Sequence, residues 1–271
     1  MTKKLFCKED LYDILNDLNY FDNFKKKYLN NKFNRINYGK RIGELSFDNL
    51  FDAAAKYTYS NKLPESIFKD WNRLLDDENS TEEDLFCVIL EIFVWGDVLS
   101  GNVKTAINLY KKKELKGYIT QMKEQLKKNE ILNKGEIESE IIWSSGWTKV
   151  YSFINNDILI YDSRVSAFLN HTLTYDIEYT DDQFKKLKEL TTHLFNFQGA
   201  ENRERLVDKN RFGFKNRSPN GINGFNANLI SSWTADLLKK EFEVENGIRD
   251  FERAFFMLGF DLKQIKPQNF G

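Results

Sequence analysis

The chain has 271 residues with 40 basic and 41 acidic side chains, a formal net charge of −1. Hydrophobic residues make up 41% and charged residues 30%, and 23 Phe and 12 Tyr supply much of the apolar volume, which excludes a mostly disordered polymer. The charge balance also excludes a polycation that coats nucleic acid, but not an enzyme whose basic groups gather locally around a cleft.

No run approaches the roughly 18 apolar residues of a membrane-spanning helix, and Met1-Thr2-Lys3-Lys4-Leu5 lacks the apolar core and cleavage site of a signal peptide. The expectation is a cytoplasmic protein without membrane contact. Cys7 and Cys87 have neither metal-ligand spacing nor the makings of a disulfide framework, and both are expected as buried thiols. His171 and His193 lack partnering ligands in sequence, so they read as structural or surface histidines and no metal is expected.

With three prolines and abundant straight-chain residues, the chain reads as mainly α and as one folding unit, 1–271. Leu11, Leu15, Leu18 and Phe21 predict an opening helical segment over Leu11–Tyr28, followed by an Asn/Lys-rich loop to about Gly43. Phe47, Leu50, Phe51 and Ala54 suggest a second helix, and Pro64 sits in the first turn of a third. Ser80-Thr81-Glu82-Glu83 reads as a capping box before the apolar stripe Leu85, Val88, Ile89, Ile92 and Phe93. Helical patterns continue over Asn102–Lys113, Leu115–Lys128 and Lys134–Ile142.

The stretch Ser144-Ser145-Gly146-Trp147-Thr148-Lys149-Val150 reads as a turn delivering Lys149 to the start of a short helix. Asn155-Asn156-Asp157 is turn-prone, Ile158–Tyr161 reads as extended, and a helical pattern resumes over Ser163–Leu169. Asp162 stands at that junction, placed to cap the new helix. Further amphipathic segments are Asp181–Phe195, Asn226–Lys240 and Glu245–Leu258, with Trp233, Leu237, Phe251, Phe255 and Phe256 as core. Between them, Gly199–Phe225 interleaves Arg203, Arg205, Lys209, Arg211, Lys215 and Arg217 with Phe212 and Phe214. That irregular basic segment is either a solvated loop or a set of phosphate contacts.

Lys149 and Asp162, 13 residues apart, carry the chemistry. A lysine amine kept partly neutral by burial can attack a sugar carbon and proceed to a Schiff base. A carboxylate nearby stabilises the cation that develops on that sugar. The alternative is ordinary: a lysine after a turn and an aspartate capping a helix. Trp95 and Trp147 stand at predicted turns and are candidates for stacking a base, whereas Trp233 reads as core.

These residues resemble the helix-hairpin-helix DNA glycosylases, within them the 8-oxoguanine DNA glycosylase branch. Thr148-Lys149-Val150 is similar to the end of that family's Gly-Val-Gly-Thr-Lys-Val hairpin, and Tyr161-Asp162 to its Val-Asp motif. The resemblance implies Lys149 as nucleophile, Asp162 as catalytic carboxylate, and Gly146, Trp147 and Thr148 as a DNA-gripping hairpin. It implies Arg164 where the family places a phosphate-contacting histidine, and Asn102 as the residue entering the duplex beside the extruded base. Asn102 also reads as a helix N-cap. Ser145-Gly146-Trp147 replaces Gly-Val-Gly, and the lysine-to-aspartate interval is shorter by about a helical turn and a half, so an abbreviated intervening helix is expected.

The resemblance spans residues 84–170, with 181–271 completing a second helical lobe across a cleft. It implies a DNA N-glycosylase, with Lys-dependent lyase activity, acting as a monomer on double-stranded DNA containing a modified base, in repair or antiphage defence. Trp95, Arg203 and Arg211 complete the expected DNA contacts. No four-cysteine pattern is present, so no cofactor is expected. The competing expectation is a helical DNA- or protein-binding module without catalysis.

Overall fold

A computed structural model describes residues 5–40, 42–57, 65–77, 79–133, 140–175, 177–197, 203–215, 221–245 and 247–265. The fold is mainly α. The first element, α1 (Lys8–Asp17), buries Leu11, Ile14 and Leu15. The expected continuous helix to Tyr28 is broken, because Asn19 takes a left-handed φ of 52° and restarts the chain as α2 (Tyr20–Phe24), which runs into a wide turn at Lys25–Leu29. Asparagine tolerates that conformation where most residues do not.

The expected loop to Gly43 holds a hairpin instead. Strands β1 (Phe33–Asn37) and β2 (Glu44–Phe47) pair antiparallel with Phe33 opposite Phe47 and Ile36 opposite Leu45. Its four apolar residues are diluted by Asn, Lys and Arg, which hides the alternation in sequence. The Tyr38 hydroxyl donates to the Met257 carbonyl at 2.8 Å and ties the hairpin to the last helix.

Helix α3 (Leu50–Ala55) begins at Asn49, whose side chain accepts from Asp52 N, so Phe47 belongs to β2 rather than to this helix. Pro64 lies outside the described residues. After α4 (Glu65–Asp76) comes α5 (Glu82–Trp95), whose box is Thr81 with Asp84, one residue later than the sequence suggests. Leu85, Val88, Ile89, Ile92 and Phe93 are buried as expected. Cys87 falls between those positions and is exposed, and Cys7 is half-buried, so neither thiol is sealed in the core. Helices α6 (Ser100–Lys112) and α7 (Leu115–Gln125) follow. Of the expected helix Lys134–Ile142, positions 134–139 lie outside the described residues and 140–142 are not helical.

Helices α8 (Ser145–Ile154) and α9 (Ser163–Thr174) carry the two sequence motifs, and α10 (Asp181–Thr191) starts under a Thr180–Gln183 box. The short α11 (Lys209–Phe212) occupies the basic segment, of which Arg217 lies outside the described residues. Helix α12 (Gly221–Glu241) is buried for most of its length, and α13 (Ile248–Leu258) follows it. Asn226 accepts from Leu132 N and donates to Leu132 O, both at 2.9 Å, which satisfies polar groups in an otherwise apolar setting.

Helices α4 to α8 pack mainly on one another, while α13 packs against α3 and α9. One contiguous core reaches from Phe6 to Ile265. One aromatic cluster surrounds α13, where Phe255 lies 5.4 Å from Phe168 and 6.4 Å from Phe24, and Phe251 lies 5.6 Å from Phe51. His171 stacks on Tyr175 at 4.4 Å, and burial pushes its imidazole down to about 3, so it packs as a neutral ring. Among the described residues no helix is long and apolar enough to cross a membrane, and no group of His, Cys, Asp and Glu could hold a metal ion.

Candidate active site

Helix α8 starts at Ser145 because Ser144 caps it, its Oγ accepting from Trp147 N at 3.1 Å. The same hydroxyl donates to Asn102 Oδ1 at 2.6 Å, and a Cβ on Gly146 would come within 2.5 Å of Val98 Cγ1 and 2.7 Å of Asn102 Nδ2. Glycine at 146 therefore serves close packing of α8 against the start of α6. The expected hairpin of Gly146, Trp147 and Thr148 is the buried first turn of α8. Trp147 is fully buried, edge-on to Phe93 at 5.7 Å and Tyr118 at 5.8 Å. Its indole is core and cannot stack on a base, and Thr148 turns its hydroxyl to Ser145 O. Asn102 is not the helix cap, a position Leu99 takes, and it is held inward by Ser144.

Lys149 thus stands in the middle of α8. Its stem runs across Gly96, where an added Cβ would lie 2.3 Å from Lys149 Cδ and 2.6 Å from Cε, and its Nζ points back toward Ser145 O at 3.4 Å. Burial holds the amine below the ordinary lysine range, partly offset by the charges of Asp162, Glu252 and Asp97. Gly96→Ala has an ordinary backbone φ of −83° to fill, so the lysine stem must yield. The expected result is a shift in stability below about 1 kcal/mol, with the Lys149 titration midpoint rising as the amine leaves its buried track. NMR of the isotopically methylated lysine reads that midpoint.

After α8, the chain turns at Asn156–Asp157, where Ile158 N donates to Asn155 O at 3.0 Å, and the segment from there to Tyr161 pairs with no strand. Side chains satisfy it instead: Leu159 N donates to Ser232 Oγ at 3.0 Å, and Ile160 N to Glu252 Oε2 at 2.6 Å. Asp162 then caps α9, its Oδ1 accepting from Arg164 N and Val165 N, both at 2.9 Å. Both bonds use one oxygen, so Oδ2 has no protein donor among the described residues. Asp162 both anchors α9 and keeps an oxygen for the cleft.

Lys149, Asp162, Arg164 and Trp95 all line one open cleft of about 1690 Å³. Its walls include Phe51 on α3, Tyr57 just after it, Phe153 on α8 and Phe256 on α13, with Trp95 edge-on to Phe153 at 5.9 Å. Burial, with Glu252 and Asp162 nearby, pushes the Tyr57 hydroxyl up to about 12. The cleft exceeds the roughly 300–1,000 Å³ that holds a small molecule, leaving room for a flat ring together with a sugar and its phosphates.

Beside the cleft, Arg164 lies over Phe256 at 4.2 Å and Phe260 at 4.9 Å, and Arg203 covers Phe260 at 4.0 Å. Arg205 is buried beneath them, donating to Phe260 O at 3.2 Å and Ser163 Oγ at 2.6 Å. Three arginines therefore gather at the start of α9. Arg211 is not with them; it lies over Phe212 on α11, away from the cleft lining. Sequence reasoning missed Asp97, Glu252 and Arg249 in the cleft, and missed Val94 and Leu99, which stand 80% exposed on either side of Trp95-Gly96-Asp97.

No family model, curated protein or solved structure matches the chain.

Proposed function

We propose that this chain is a DNA N-glycosylase with Lys-dependent lyase activity, acting in the cytoplasm as a monomer on duplex DNA with a modified base. The carrying observation is that a half-buried lysine amine and a carboxylate whose Oδ2 has no protein donor among the described residues, from different elements, line the same open cleft. In this reading the target nucleotide is extruded and its base lies among Trp95, Tyr57, Phe51 and Phe256. Arg164 and Arg203 hold flanking phosphates.

The neutral Lys149 amine attacks C1′ as the bond from C1′ to the base breaks; the base leaves with the electron pair and is protonated. Asp162 stabilises the positive charge on the sugar while that bond is stretched. The nitrogen then loses a proton, O4′ gains one as the ring opens, and the resulting Schiff base permits elimination of the 3′ phosphate. The exposed Val94 and Leu99 at the lip supply apolar surface to fill the gap in the stack. Excision from a modified base suits repair of the cell's DNA or attack on modified phage DNA equally.

A second reading, a binding module without catalysis, is favoured by the structural use of Asp162 as a helix cap. Duplexes carrying 8-oxoguanine, uracil, alkylated bases or glucosylated hydroxymethylcytosine separate the two. The expected result is abasic-site formation with at least one of them, and a covalent adduct to Lys149 when borohydride is present. Binding of abasic duplex with no adduct and no released base across the set supports the module instead.

A further inference from the structure

An unbroken run of hydrogen bonds crosses the back of the cleft. Ser152 Oγ donates to Lys149 O at 2.7 Å, and Ser152 O accepts from Arg249 Nη2 at 2.7 Å. Arg249 Nη1 pairs with Glu252 Oε2 at 2.6 Å, and that oxygen also accepts from Ile160 N at 2.6 Å, two residues before Asp162. Two of the backbone groups held this way, Ser152 O and Ile160 N, are ones that regular structure leaves over. Ser152 O belongs to the last turn of α8, whose carbonyls have no partner within the helix, and Ile160 N lies in the irregular segment that pairs with no strand.

An ordinary pair at positions i and i+3 on a helix lies on the surface and contributes little. Here both partners reach off α13 to two different elements, and both line the cleft. Glu252 also faces the lysine amine, together with Asp97 from the α5–α6 turn and Asp162 from the start of α9. The other charges in the cleft are Asp157, Arg164, Lys239 and Arg253, with Glu243, Glu245 and Asp250 toward its α12–α13 side.

Resting on the glycosylase reading, we propose that Glu252 is a positioning residue: with Arg249 it forms a clasp from α13 that fixes the separation of the Lys149 helix and the Asp162 segment across the cleft. Catalysis by proximity is steep in distance, a misplacement of about 1 Å costing on the order of 10²-fold. The clasp supplies what a lysine in mid-helix and an aspartate on an irregular segment lack, a common rigid support.

Two variants test this on the intact chain. In Glu252→Gln the amide oxygen still accepts from Ile160 N but the charge is gone; in Glu252→Ala both are lost. The probe is a duplex with a single abasic site plus borohydride. The Lys149 amine condenses with the sugar aldehyde, water leaves, and borohydride delivers hydride to the imine. Glu252→Ala is expected to lower the adduct rate by about 10²-fold, and Glu252→Gln by far less. Removing an anion that favours the ammonium form lowers the Lys149 midpoint, so in Glu252→Gln the acid limb of the adduct rate moves to lower pH. NMR of the methylated lysine shows the same shift without any DNA.

Equal adduct rates in wild type and Glu252→Ala overturn the clasp, as does an unmoved Lys149 midpoint in Glu252→Gln. If the wild-type chain forms no adduct, the glycosylase reading fails, and the DNA-free titration still decides whether Glu252 faces the amine as described.

Discussion

Lys149→Gln is expected to abolish the borohydride-stabilised adduct with abasic DNA and to lower base release by about 10³-fold or more, because it removes the amine whose stem lies over Gly96 in the cleft that Asp162 also lines. Asp162→Asn is expected to keep the adduct but slow base release by roughly 10²–10³-fold, the size typical of losing one group aimed at developing charge. The two differ for a physical reason. An abasic sugar has already lost its base, so adduct formation needs the amine at the right distance from a sugar seated at the start of α9 but not the charge at residue 162, whereas bond cleavage needs that charge as well. The asparagine oxygen can still accept from Arg164 N and Val165 N, so α9 stays capped and the loss reports charge rather than folding. Both reactions are followed on denaturing gels with end-labelled duplex. Full base release by either variant removes the assignment of that residue.

That pair was legible in sequence because both signals are local. Asp162 declares itself by standing between an apolar extended run and a helical pattern, and it caps α9 as expected. Lys149 is marked by the turn-like residues before it, but the same residues misled the reading of Trp147. Ser144-Ser145-Gly146 looks like a turn that would project Trp147 outward, whereas Ser144 is an N-cap and Trp147 is already helical and inside. A cap and a turn draw on the same residue types.

The residues that complete the cleft could not be read locally. Glu252 meets Ile160 across 92 positions of sequence, and Arg249 meets Ser152 across 97. Their i, i+3 spacing looks like any exposed helical pair. Arg164 and Arg203 lie over the Phe260 ring and Arg205 donates to the Phe260 carbonyl, a residue that composition gives no reason to single out. The tight α5–α6 turn at Gly96 shows its purpose only when the lysine stem is seen lying over it.

Among the described glycines, the closest backbone approach lies where α13 ends against the start of α9, and it yields the largest expected loss of stability. A Cβ on Gly259 would stand 1.9 Å from the Arg164 carbonyl oxygen, 2.7 Å from its carbon and 2.8 Å from Phe255 O. All three are backbone atoms, so no rotamer change relieves the contact. Gly259→Ala is therefore expected to cost about 3 kcal/mol or more, measured by urea unfolding, and to reduce the abasic-DNA adduct as the start of α9 is forced outward with Asp162. Gly247→Ala is the matched control: its φ of 78° strains alanine, but nothing lies within 4 Å of the added carbon. Its cost is expected to stay below that of Gly259→Ala, at about 1–3 kcal/mol, with adduct formation retained. Equal costs for the two would mean that α13 and α9 do not meet this closely. A large loss confined to Gly259→Ala ties the stability of the fold to the contact that seats the candidate carboxylate.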